Sequence, residues 1–515
     1  MQARSHNIAQ LLRRSAVRAP DKIAIQCGDA RYSYADFDRI AGAVAAGIAN
    51  LGIVSGDRVA VLARNSHAYA ALRFAAARLG AVLVPINYML KPAEIAYILN
   101  HSGARLLCFD QELEANGRAA VATGTAIEMM MGLPGERTAE PDADFSFASL
   151  AQTACLEDAI VDSRDIAQII YTSGTESAPK GAMLTHEAVM WEYVTCVVDG
   201  EMSASDIVLH AMPLYHCAQL DVFLGPAVYI GSSSIITSDT SPDNLLSLIE
   251  KHHVTSFFAP PTVWIGMLHS PLFEKTDLTS LRKAYYGASI MPVAVLLELQ
   301  RVFPDVRLFN FYGQTEIAPV ATVLRPQEQV SHAGSAGRAA LNVETRVVDD
   351  EGQEVASGEV GEVVHRSPQL MIGYYNDEER TEEAFRGGWF HSGDLATRDG
   401  DGYITIVDRK KDMIKTGGEN VASREVEEVI YRLEGVKEVA VIGVPHPTWV
   451  EAVVAVVIRD SGSNITNTDV LEHCRSSLAN FKSPKEVVFE DELPKNPSGK
   501  VVKRSLRDKY LALFG

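Results

Sequence analysis

Short apolar runs alternate with helix-period stretches through the first 320 residues of the chain. "DRVAVLA" is followed by the helical pattern "HAYAALRFAAARLG" and then by "AVLVPIN". Further on, "VTSFFAP" precedes "TVWIGML", and "LRKAYYGA" precedes "PVAVLLELQRVF". Buried runs separated by amphipathic helices predict parallel sheets covered by helices. No repeat of fixed period is present, although two such α/β units can lie side by side. Ile8, Leu11, Leu12 and Val17 fit one face of a first helix. The four arginines around them resemble a transit peptide, but a structural helix is the expectation.

From about 333 to 408 the texture changes. "VETRVVDDEGQEV", "GEVGEVVHRS" and "GYITIVD" read as strands with Gly and Asp turns, which predicts a small antiparallel barrel or sheet. "RDGDGYITI" reads as a hairpin turn; it lacks the frame and terminal Glu of a calcium loop. The charged link "DRKKD" follows at 408–412. After it come "REVEEVIYRL", "VAVIGV", "AVVAVVI" and "DVLEHCRSSLANF", the pattern of a small α+β unit. The expected division is a domain over 1–408, a hinge at 409–411 and a second domain over 412–515.

Length and charge narrow the picture. At 515 residues the chain exceeds what one core supports, so at least two domains are expected. Its 47% hydrophobic and 22% charged residues are ordinary for a globular protein. A net charge of −19 argues against nucleic acid or anionic lipid as a partner. The six cysteines include no C-x-x-C pair, which points to free thiols in a reducing cytoplasm rather than a zinc site. No apolar run reaches the length of a membrane span, so no integral membrane association is expected. A homodimer is left open.

The chemistry begins at "YTSGTESAPKG", residues 171–181. Read between the strand "AQIIYT" and the helix "HEAVMWEYVTCVV", it occupies the place where α/β proteins cradle phosphate. Its glycines let backbone N–H groups approach an anion; Thr172, Ser173 and Thr175 add hydroxyls and Lys180 a charge. The Lys-Gly order excludes a Walker A loop, and no GxGxxG fingerprint is present here. "FNFYGQTE", "GWFHSGDLA", "DRKKDMIKTGGENV" and "PKNPSGKVVKRSL" follow in order.

This ordered set resembles the adenylate-forming superfamily of acyl-CoA synthetases, adenylation domains and beetle luciferases, over nearly the whole chain. The resemblance implies a large N-terminal domain of two α/β sheets and a small β-barrel, with a mobile α+β C-terminal domain. It also implies an acid–thiol ligase that uses ATP, Mg2+ and coenzyme A. Thr172, Ser173, Gly174, Thr175 and Lys180 would bind the β- and γ-phosphates. Tyr312 would stack on adenine beside Gly313, Thr315 would reach the α-phosphate and Glu316 would hold magnesium. Asp394 and Arg409 would bind the ribose. Gly287, Ala288 and Ser289 would line the nucleotide and acyl pockets, and His216 would gate the acyl tunnel. Lys500 would bridge the α-phosphate and the substrate carboxylate. Lys411 would be the hinge, and Gly417, Gly418, Glu419 and Asn420 the loop of the thiol step. Lys503 and Arg504 are expected to be exposed bystanders.

Glu176-Ser177 departs from the usual Thr-Gly; an outward-facing Glu176 is favoured over a metal-linked one. With no carrier domain following residue 515, coenzyme A is the expected thiol. Tyr215-His216 stands where amino-acid-activating relatives carry Phe-Asp, and Asp221 need not face the pocket. An apolar fatty or aryl acid is the favoured substrate, with Gly225 and Ala227 hinting at a tunnel. A short dicarboxylic acid and a luciferase-like oxygenation are the alternatives.

Overall fold

The computed structural model describes residues 6–155, 159–172, 179–289, 291–410, 412–417, 419–495 and 501–514. Two sheets dominate the first 340 residues. One has seven strands, with Arg58–Leu62 and Val82–Pro85 near its centre and the hairpin Ile166–Thr172/Lys180–Thr185 at one edge. The other has nine, from Arg338–Ala339 through Arg307–Gly313, Lys283–Gly287 and Ser256–Phe258 to Ile23–Cys27 and Ala30–Ser33. The neighbours within the run from Arg307–Gly313 to Ile23–Cys27 are parallel, and antiparallel strands close both ends. Parallel strands buried on both faces account for the unbroken apolar runs.

Helices Ile8–Arg18, Tyr34–Asn50 and His67–Leu79 share one core with both sheets. Their ends are specified locally. Ser33 and Asp36 form a capping box, Ser66 caps the third helix, and Gly80 ends it in the left-handed region. Phe37 and Phe74 meet edge to face at 5.6 Å. The first helix forms as expected, but its buried face is Ile8, Ala9, Leu11, Leu12 and Ser15; Val17 is exposed. The Ser15 hydroxyl donates to the carbonyls of Val228 and Tyr229, so a polar residue takes the inward position.

Residues 344–409 form a four-stranded antiparallel sheet, Glu344–Val348, Val360–Arg366, Phe390–Arg398 and Ile404–Arg409 in that order. Its first and last strands do not pair, so among the described residues it is an open sheet rather than a closed barrel. "DRKKD" starts inside this sheet: Asp408 and Arg409 end its last strand, and the Lys410 amide still donates to the Gly393 carbonyl. Beyond lies a five-stranded sheet built on the long hairpin Val436–His446/Val450–Arg459, covered by helices Ser423–Tyr431, Asn467–Ser477 and Lys503–Lys509. Gly417 turns a short hairpin between Ile414–Thr416 and Glu419–Val421, and its amide donates to the Trp449 carbonyl at 2.9 Å. Among the described residues no helix is long and apolar enough to cross a membrane.

Candidate active site

The phosphate-loop segment joins two strands rather than a strand and a helix. Lys180–Thr185 pairs antiparallel with Ile166–Thr172, placing Thr172 opposite Lys180, and the helix starts only at His186 under a Thr185 cap. The helix N-terminus is therefore six residues beyond Lys180 and does not supply the cradle. "KGAMLT" forms a strand because its partner strand lies alongside and Gly181 allows close approach: a Cβ there would sit 2.7 Å from Ile169 and 3.2 Å from the Tyr171 ring. The base of the loop is braced by aromatics. The Tyr171 hydroxyl bonds His101 at 2.8 Å, and His101 stacks on Tyr97. Ser173, Gly174, Thr175, Glu176 and Ser177 lie outside the described residues, as do Lys411, Gly418 and Lys500.

Lys180 leads to a residue that the sequence reading missed. Its ammonium sits 4.9 Å above the Tyr374 ring, and the Tyr374 hydroxyl donates to Glu316 Oε1 at 3.0 Å. Tyr374 thus touches both the lysine of the phosphate hairpin and the carboxylate proposed for magnesium. Tandem tyrosines in "MIGYYND" after a strand were the only local signal. The Met371 amide also donates to the Glu316 carbonyl at 2.8 Å, so this segment holds Glu316 by backbone and side chain together.

The turn bearing Thr315 and Glu316 depends on a glycine. A Cβ at Gly313 would fall 1.8 Å from the Pro319 carbonyl oxygen, while the Gln314 amide donates to that same oxygen at 2.9 Å. Gly287 on the neighbouring strand is similarly constrained, 2.4 Å from the Phe311 oxygen. Ala288 follows with φ of 63°, in the left-handed region, and Ser289 lies beside it at the strand end. Such a conformation costs a non-glycine residue energy and is concentrated at functional sites. Thr315 and Glu316 are buried, and Thr315 Oγ1 lies 3.4 Å from Cys217 Sγ. Cys217 adjoins His216, whose Nδ1 accepts from the Ala218 amide at 3.3 Å and caps the short helix there. His216 therefore borders the Thr315 turn.

Tyr312, Asp394 and Arg409 converge. The Tyr312 hydroxyl donates to Asp394 Oδ2 at 2.6 Å, and Arg409 Nε donates to Oδ1 at 2.6 Å. Asp394 and Arg409 face each other across adjacent strands, so sheet register fixes the pair. Burial and then the Asp394 charge push the Tyr312 phenol well above its ordinary range, which keeps it a hydrogen-bond donor. Each Asp394 oxygen keeps a further lone pair for a sugar hydroxyl.

Glu316 Oε2 takes no hydrogen bond from a described residue. A magnesium ion commonly uses one or two carboxylates and takes its other oxygens from phosphates and water. The residues present fit that pattern, and among the described residues no cluster of three acids, His or Cys competes with it.

Two sequence expectations fail here. Gly225 does not line a tunnel: a Cβ there would be 2.0 Å from Tyr193 Cζ, so the phenol ring occupies the space, and Ala227 is buried. Lys503 is no bystander; it donates to Ser423 Oγ at 2.5 Å and pairs with Glu427 at 2.8 Å. Asp221 is fully buried, paired with Arg73 at 3.1 Å and Gln168 at 2.7 Å. A cleft of about 470 Å³ lined by Val323, Arg338, Thr345 and Ile404 contains none of the site residues.

Tyr312, Asp394 and Arg409 lie in contact and Tyr374 joins Lys180 to Glu316, an arrangement that adenylate formation would use. The chain belongs to the AMP-binding enzyme family: that family's model matches residues 12–375, and the AMP-binding enzyme C-terminal domain matches 425–500. It is 37% identical to feruloyl-CoA synthase of an Amycolatopsis species over 497 residues, which covers 96% of this chain and 98% of that one. It is 35% identical to a long-chain-fatty-acid–CoA ligase of Mycobacterium tuberculosis over 512 residues, covering 98% and 99% of the two chains. An anthranilate CoA ligase solved with anthranoyl-AMP superposes with a TM-score of 0.90 at 27% identity, covering 98% of this chain and 97% of that one. The protein is an AMP-forming acyl-CoA synthetase, a carboxylic acid–CoA ligase that uses ATP and coenzyme A.

Proposed function

We propose that the acid is compact and apolar, of the aryl class, and that it is activated in a groove bounded by His216, Gly287 and the Thr315 turn. The observation that carries this is the similarity, at 33% identity over 97% of this chain, to an indoleacetate–CoA ligase. Similarity to a synthase acting on ferulate and to a ligase bound to anthranoyl-AMP supports the reading. Similarity to the long-chain-fatty-acid ligase supports a second reading, a fatty acid.

In this reading the carboxylate attacks the α-phosphorus and pyrophosphate leaves. Both reactants are anions, so the site must stabilise charge where it develops. Thr315 donates at the α-phosphate, Lys180 and the 172–175 segment hold the outer phosphates, and Asp394 with Arg409 fixes the ribose against Tyr312. Glu316, held by Tyr374, would bind magnesium, which supplies charge neutralisation at the phosphates. Lys500 brings an ammonium between carboxylate and phosphate. Residues 1–408 act as the nucleotide-binding unit and 412–515 as a unit that turns about 409–411, exchanging Lys500 for the 417–420 loop when the thiol attacks. The free cysteines fit a reducing cytoplasm.

The test is pyrophosphate release and thioester formation with ferulate, indoleacetate, anthranilate, octanoate, palmitate and malonate, with and without coenzyme A. Highest kcat/KM on an aryl acid supports the proposal. Preference for palmitate selects the second reading, and turnover of malonate alone sinks both.

A further inference from the structure

The helix His186–Asp199, which follows the phosphate hairpin, carries a glutamate on its inner face. Glu192 is completely buried. Its Oε1 accepts from the Val320 amide and the Cys196 thiol, both at 3.1 Å, and its Oε2 accepts from Gln369 Nε2 at 2.6 Å. Gln369, also completely buried, donates from the same nitrogen to the Val320 carbonyl at 3.1 Å. Its oxygen accepts from the Thr195 hydroxyl at 2.5 Å, and Asn342 donates to that hydroxyl at 3.0 Å. Two residues on, Met371 holds the Glu316 carbonyl.

Both backbone groups of Val320 are thus taken by one buried pair. Val320 ends the turn that Thr315 and Glu316 begin, and Met371 grips the start of that turn from the same segment as Gln369. A buried carboxyl costs several kcal/mol to desolvate, and a well-packed apolar pair of the same volume is often no less stable. Here, however, an apolar pair would orphan the Val320 amide and carbonyl, so the polar pair serves the backbone of the turn. Burial pushes the Glu192 carboxyl well above its ordinary range, so the site keeps a polar group against a strong opposing force.

We infer that Glu192 and Gln369 are positioning residues: they fix the height of the 315–320 turn, and through it the Thr315 hydroxyl and the Glu316 carboxylate, relative to the phosphate hairpin. This rests on the function proposed above. The pair touches no substrate and acts only through the turn.

Glu192→Gln keeps the shape and an acceptor for Val320 but can turn an NH2 toward the Gln369 NH2. Displacements near 1 Å cost about 100-fold at such sites. The expected result is adenylation slowed by roughly 30- to 100-fold, read as single-turnover pyrophosphate release at saturating ATP. Thiolysis of supplied acyl-adenylate should fall by no more than about threefold, because the α-phosphate is then already bonded to the acyl group. Adenylation within about twofold of wild type, or equal loss in both half-reactions, overturns the inference. If E192Q does not fold, Thr195→Val decides. It removes only the hydroxyl that holds the Gln369 oxygen, and adenylation should fall about threefold or more with thiolysis unchanged. An unchanged T195V rate then overturns it. Wild-type activity on the acid panel tests the proposed function separately, since these variants are compared only with wild type.

Discussion

The nucleotide face and the junction to the C-terminal unit are built in opposite ways. On the nucleotide face the described groups are held from distant segments: Tyr312 and Arg409 on Asp394, Tyr374 on Glu316, Cys217 against Thr315. Positions there are set by sheet register and by glycines whose Cβ would collide with backbone. Among the described residues the junction carries polar contacts beside the packing of Tyr431. Asp408 accepts from the Ser423 amide at 2.6 Å and hydroxyl at 2.7 Å. Arg424 reaches the Ile406 and Gly334 carbonyls. A preorganised face suits charge stabilisation, which must not wait for rearrangement. Polar contacts that water can replace suit a joint that opens. The two half-reactions should therefore fail separately.

Lys500→Ala should separate the half-reactions most. Loss of the cation proposed between carboxylate and phosphate should cut adenylation by about 100- to 1000-fold, while thiolysis of supplied acyl-adenylate survives. Stopped-flow measurement of each half-reaction checks it; equal loss in both would remove Lys500 from the first step. Next comes Asp394→Ala, which takes an acceptor from Tyr312 and Arg409 together. Hydrogen bonds to a charged group are worth about 1.5–3 kcal/mol, so the KM for ATP should rise on the order of 10- to 100-fold with little change in the KM for the acid. A rise confined to the acid would contradict the ribose assignment. Lys411→Pro should spare adenylation and slow thioester formation by about tenfold, the effect of some 1.4 kcal/mol added to the rotation barrier. Unchanged steady thioester synthesis would dismiss 409–411 as the hinge.

How much of this was legible in the sequence depends on how local the cause is. The strand–helix alternation, the change of texture near 333 and the ordered motifs are local signals, and the sheets and family follow from them. Tyr312, Asp394 and Arg409 were named from motifs, and the structure brings them together. The misses share a different cause. Lys180–Thr185 became a strand because an edge was available beside it. Gly225 is small because Tyr193, thirty-two residues earlier, fills its side. Lys503 resembled a surface lysine until Glu427 and Ser423 closed on it; burial pulls its ammonium down, but the Glu427 charge leaves it raised. Glu192 and Gln369 act only through tertiary contacts, so no window of the chain marks them, and only a pair of adjacent tyrosines marks Tyr374.

The smallest effect is also the most discriminating. Asp408 precedes the proposed hinge and Ser423 follows it, yet Asp408 satisfies the Ser423 amide at the start of the helix Ser423–Tyr431, where Ala422 offers no side-chain cap. The cap therefore crosses the joint and belongs to one orientation of the C-terminal unit. A helix N-terminus favours an anion, and losing such a cap costs typically about 1 kcal/mol. Asp408→Ala should remove that much from one orientation, shifting the balance between the two by about fivefold. The two half-reactions should then move in opposite directions, one faster and one slower, because a shift that disfavours one orientation populates the other. Loss of stability alone would lower both. If single-turnover rates of adenylation and thiolysis fall together in D408A, Asp408 is a structural cap and the joint is held elsewhere. If they diverge, the orientation recorded here is the one belonging to the half-reaction that slows.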